Sequence, residues 1–104
     1  MAEARAVLPS PLVQGEDEAI TYTLATTAWG SSPSAVVVQA YDVTDGGYVD
    51  VSGEVLSGSA AVVGDVITLP VLLGLAAGRV YRVEVRFTAG GNVFECWLEL
   101  RGER

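Results

Sequence analysis

The sequence predicts an all-β domain, a sandwich of about seven short antiparallel strands. Three observations predict it. Charge and valine alternate through "RVEV" (82–85) within the 80–88 strand, and apolar residues recur at every second position from Phe94 to Leu100 in 93–101. Turn signals built from Gly, Pro, Ser and Asp recur about every eight to twelve residues, the spacing of short strands. No stretch of helical length survives the glycines, since the apolar "VLLGLAAG" (71–78) is cut by Gly74 and Gly78.

The 104 residues suffice for one domain. Folding at this size buries about two-thirds of the unfolded surface. Half of the residues are hydrophobic, too many for a disordered chain. No apolar run approaches the roughly 20 residues that cross a bilayer. "MAEARAVLPSPLV" lacks the basic start and apolar core of a secretory signal, so folding in a cytoplasm is expected.

Thirteen acids face six arginines, with no lysine, for a net charge of −7. Residues 1–78 carry nine acids and one arginine (net −8), and residues 79–104 carry four acids and five arginines (net +1). Such a balance repels phosphates and anionic lipid, so neither nucleic acid nor membrane is an expected partner. The acidic body either keeps the protein soluble or meets a basic surface. Cys96 is the single cysteine and histidine is absent. Those two counts remove intrachain disulfides, most zinc sites and His-based triads.

Residues 1–18 read as an N-terminal arm or edge strand, with Pro9 and Pro11 restricting the backbone, and residues 19–104 as the sandwich domain. "AITYTLATT" (19–27) alternates Ile20, Tyr22 and Leu24 against Thr21, Thr23 and Ala25, a half-buried strand. "WGSSPS" (29–34) is loop chemistry, and "AVVVQAYDV" (35–43) is a β-branched and aromatic strand. "TDGG" (44–47) is a turn, and "YVDVSGEVL" (48–56) a short strand or strand pair broken at Gly53. "SAAVV" (59–63) and "VITLPVLL" (66–73) form a hairpin about Gly64 and Asp65. Pro70 has no N–H for a ladder, so the second arm is an edge or ends early.

The last hairpin can be registered from the sequence. With Gly90 and Gly91 as a two-residue turn, facing residues have numbers summing to 181. Phe87 then faces Phe94, Val85 faces Cys96, Val83 faces Leu98 and Tyr81 faces Leu100, all on one side. Arg86 meets Glu95 and Arg82 meets Glu99 on the other, opposite-charge pairs of about 0.2–1 kcal/mol each. A one-residue slip would set charges against valines.

Upstream, "LAAGRVY" (75–81) is similar to the corner of Ig-like and fibronectin-type sandwiches, where a tyrosine hydroxyl returns to backbone a few residues earlier. Leu75, Gly78 and Tyr81 would form it, with Gly78 supplying the bend. The alternative is an ordinary strand tyrosine. The implied architecture is an Ig-like sandwich ending in the 80–88 and 93–101 strands.

Paired carboxylates are the chemistry the composition leaves open. Asp42, Asp45 and Asp50 cluster about the 44–47 turn and could hold Ca²⁺, although their spacing is not that of an EF-hand and solvated acids are the simpler reading. Ser31, Ser32 and Ser34 have neither histidine nor lysine to activate them. No enzymatic activity, metal or cofactor is expected. Trp97 falls on the charged outer face, opposite Glu84 and diagonal to Arg82 and Arg86. These three form a candidate protein interface, because Trp and Arg dominate such contacts; a local cap over the sheet is the alternative. Trp29 reads as a core plug or a contact residue.

Taken together, the chain resembles small bacteriophage virion proteins known as fiber–tail adaptors. The matching residues are "GEDEAITYTL" (15–24), "TTAW" (26–29) and the ending "LAAGRVYRVEVRFTAGGNVFECWLELRGER" (75–104), while 44–70 matches little. The resemblance implies a multi-copy structural protein of the virion, made in the host cytoplasm. Its partners would be other virion proteins of the tail, neck, fiber or capsid, with homo-oligomers expected. Capsid decoration is a second virion role. A cellular Ig-like module binding carbohydrate or peptide is the alternative from another class, and it calls for exposed aromatics grouped on one face.

Overall fold

In the computed structural model, which describes residues 12–27 and 29–104, short strands follow one another with a single helical turn between them. In chain order they are β1 (Leu12–Gly15), β2 (Thr23–Ala25), β3 (Ser34–Asp42), β4 (Val49–Asp50), α1 (Ser52–Val55), β5 (Leu56–Ser57), β6 (Ala61–Val63), β7 (Val66–Thr68), β8 (Val71–Leu72), β9 (Val80–Ala89) and β10 (Asn92–Glu103). The protein is mostly β, and among the described residues its ten strands exceed the expected seven. Two expected strands are subdivided. The 48–56 segment becomes β4, the turn of α1 and then β5, with Gly53 inside the helical turn. The 66–73 arm stops at Thr68, because Pro70 offers no donor, and resumes as β8 in a different sheet.

The strands form a five-stranded sheet in the order β1-β10-β9-β3-β4, a three-stranded sheet β2-β7-β6 and the pair β5-β8. Pairing is antiparallel except at β1, which runs parallel to β10 with Leu12 beside Leu100. β1 lies at one edge of the five-stranded sheet; the rest of the segment expected as an arm or edge strand, with Pro9 and Pro11, lies outside the described residues.

The β9–β10 hairpin sets the frame. Its register runs from Ala89 opposite Asn92 to Val80 opposite Arg101 and includes every facing pair expected above. Gly90 and Gly91 turn with φ of 59° and 82°, the two positive values of a type I′ turn, whose twist suits the flanking strands. Alternation puts Tyr81, Val83, Val85, Phe87 and Ala89 of β9, with Cys96, Leu98 and Leu100 of β10, into the core. Ala40 of β3 joins them, and Leu24, Val55, Ile67, Leu69, Leu72 and Leu75 from the rest of the chain complete one buried cluster. Each large side chain so buried contributes about 1.5–3 kcal/mol. Trp29 packs against this core, its ring centroid 6.0 Å from that of Phe87.

One polar side chain bridges the sheets. Gln14, fully buried on β1, donates from Nε2 to the carbonyls of Leu72 (2.7 Å) and Glu18 (3.0 Å) and accepts from the Tyr22 hydroxyl (2.8 Å). With both ends of the amide satisfied, its burial costs little.

Candidate functional site on the outer sheet face

The opposite face of the five-stranded sheet is free of the core. Strand pairing arranges its side chains in rows. Glu99, Arg82, Tyr41 and Asp50 lie in one row across β10, β9, β3 and β4; Trp97, Glu84 and Gln39 in the next; Glu95, Arg86 and Val37 beyond that. Arg82 is the centre. Its guanidinium carbon sits 4.2 Å from the Trp97 ring centroid and 5.7 Å from that of Tyr48, and its Nε donates to Glu84 Oε2 at 2.8 Å. Tyr48 in turn meets Tyr41 edge to face at 5.6 Å, and the Tyr41 hydroxyl donates to Gln39 Oε1. A guanidinium held between two rings contributes about 0.5–1 kcal/mol per ring when exposed, and more when desolvated. Desolvation, with the negative charges of Glu84 and Asp50, pushes the Tyr41 hydroxyl pKa up, so it stays a neutral donor.

Of the expected interface residues, Trp97 is half-buried against Arg82, whereas Arg86 stands exposed away from the rings. Arg86 and Glu95 are register partners, yet no ion pair joins them, and Arg82 turns along its own strand to Glu84. Tyr41 and Tyr48 are additions that the sequence does not announce. Tyr41 comes opposite Arg82 only once β3 is paired with β9, a contact between segments about 40 residues apart in the chain.

Leu75, Gly78 and Tyr81 come together at one end of the sheet. Leu75 and Tyr81 are buried, Gly78 has φ of 81°, and the Ala76 N–H donates to the Tyr81 hydroxyl at 2.8 Å. Gly102 completes this corner. Its carbonyl accepts from the Gly78 N–H, its N–H donates to the Arg79 carbonyl, and any Cβ there would run into the Ala76 carbonyl oxygen.

The acids about the 44–47 turn have other work. Arg79 bridges Asp42 Oδ2 (2.9 Å) and Asp45 Oδ2 (3.2 Å), while Asp50 accepts from the Ser52 N–H. Desolvation alone would raise the Asp42 carboxyl pKa, but hydrogen bonds from Thr44 and Arg79, and the charge of Arg79, hold it below its usual value. The two hydrogen bonds from Ser52 lower that of Asp50. Among the described residues no three His, Cys, Asp or Glu side chains converge as metal ligands. Ser32 lies in the loop before β3, where its N–H donates to Asp65 Oδ1.

No family model, no curated protein and no solved structure matches this chain.

Proposed function

We propose that this protein is a non-enzymatic structural component of a bacteriophage virion, a multi-copy adaptor that joins tail or neck to fiber or other tail parts. Its domain would be an Ig-like sandwich, a reading supported by the Tyr81 contact to Ala76 and by the single core shared between sheets. The observation that carries the functional reading is the outward cluster of Arg82, Trp97, Tyr48 and Tyr41. Arginine and aromatic side chains dominate the energetics of protein interfaces, and here they stand on a sheet whose other side is closed core. The absence of histidine and lysine, with Cys96 buried, leaves little to build a catalytic centre from.

Mass spectrometry of purified particles of the phage encoding the chain should find it in fixed copy number; its absence there sinks the proposal. Trp97→Ala should fold as the wild type does but enter particles several-fold less. Unfolding of that variant, with no separable loss of incorporation, would make Trp97 a purely structural residue. Capsid decoration would instead show as binding to empty capsids and a rise in their thermal stability.

A sugar-binding module is the second reading, favoured by one observation: Trp97, Tyr41 and Tyr48 share a face. Against it, Arg82 already lies over the Trp97 ring, 4.2 Å from its centroid, where a sugar ring would stack. Titration of glycans against tryptophan fluorescence separates the two readings.

A further inference from the structure

We infer that the partner covering the outer face is a second copy of this chain, related by a two-fold axis that runs along the strands midway between β9 and β10. The inference rests on the reading of this face as a protein interface and specifies its occupant. It comes from the charge pattern. Rotation about such an axis lays β9 of one copy over β10 of the other, row on row. Residues that are register neighbours within one chain therefore become facing residues between chains. Arg86 faces Glu95 of the partner copy, and Glu95 faces its Arg86. Trp97 of each copy lands on the Arg82–Glu84 pair of the other. A two-fold axis perpendicular to the strands has no such consequence, since it sets rows against different rows.

Three further features agree. Arg82, Arg86 and Arg101 offset three of the five carboxylates of this face, Glu84, Glu95, Glu99, Glu103 and Asp50, so most of the chain's net charge of −7 lies elsewhere and repulsion between two such faces is reduced. Arg86 and Glu95 are both exposed and make no ion pair with each other, which leaves them available to a partner. The apolar side chains of Val13, Val37 and Val93 are 55%, 39% and 50% exposed, and each shares a row with charged or polar residues of this face. β1 pairs with the rows Leu100–Glu103 of β10 and β3 with the rows of β9 that end at Tyr81, so the rotation sets β1 past the end of β3 and leaves β9 and β10 as the facing strands. About 10 Å across and about 34 Å long, they cover roughly 340 Å² per copy, or about 700 Å² in total, the size of a weak association.

Reversed charges test the geometry. Sedimentation equilibrium of the wild-type protein should give a mass that rises with concentration from the 10.8 kDa of one chain toward twice that value, and falls back as salt is raised. By symmetry, Arg86→Glu turns two attractive contacts into two repulsive ones, as does Glu95→Arg, and each variant alone should be monomeric. Mixed in equal amounts they should associate, because in the mixed pair Glu at 86 faces Arg at 95 and Arg at 86 faces Glu at 95. Circular dichroism should show both variants folded, since both positions are exposed. Contacts within one chain cannot produce rescue by mixing. A wild-type protein that stays monomeric at about 0.1 mM, single variants that still dimerise, or a mixture that stays monomeric each overturns the inference. None of those results bears on whether particles contain the protein, so the two proposals fail separately.

Discussion

Gly102 shows how much a single hydrogen atom can decide. The chain end of β10 passes so close to the Ala76 carbonyl that only glycine fits, and both of its backbone groups are bonded to the 78–79 bend. The corner is thereby closed from two sides, by the Tyr81 hydroxyl and by Gly102. Gly102→Ala should destabilise the protein by about 1–3 kcal/mol, the cost of forcing a methyl group into occupied space. Chemical denaturation measures it, and an unchanged midpoint would mean that the corner yields freely. Leu75, Gly78 and Tyr81 are legible as a corner because their spacing is local. Gly102 is not, because its partner lies more than 20 residues earlier and nothing in "LRGER" marks a close approach.

At the scale of elements, the β9–β10 hairpin is legible and its neighbours are less so. Its two arms adjoin in sequence, alternate with period two and meet at paired glycines, so pattern and turn agree on one register. Gly90 has φ of 59° with nothing near its Cβ position, which is the place for asparagine in a type I′ turn. Gly90→Asn should raise stability by about 0.5 kcal/mol by restricting the unfolded chain, seen as a melting temperature higher by a few degrees. A lower melting temperature would mean that the turn differs from type I′. Elsewhere the elements depart from simple alternation for physical reasons. Pro70 ends a ladder it cannot join, and β3 shifts register between Ser34 and Val37 with Ala35 at φ of 52°.

For the whole molecule, electrostatics sets how stability responds to acid. A carboxyl group whose folded pKa is depressed contributes stability that is present above its unfolded pKa and lost as pH falls through the folded one. Asp42 and Asp50 are both of this kind. Stability should therefore decline below about pH 4 as Asp42 releases Thr44 and loses its ion pair with Arg79. Asp42→Asn should be less stable than the wild type at neutral pH and show a shallower acid decline. Parallel declines in the two proteins would mean that Asp42 is not the group responsible. The half-buried position of Asp42, bonded by Thr44 and Arg79, matters more here than the exposed position of Asp45.

By itself the sequence determined an all-β chain, the pairing of its last two strands and a composition poor in catalytic groups. All three follow from residue type and from contacts between neighbours along the chain. Only the tertiary structure decided that β1 would run parallel to β10, that β3 would lie beside β9 and that Tyr41 and Tyr48 would gather about Arg82. The segments are similar valine-rich strands, and each could pair with several others at comparable local energy. Which pairing prevails depends on burying all their apolar faces in one core at once, and that is a property of the assembled chain rather than of any segment in it.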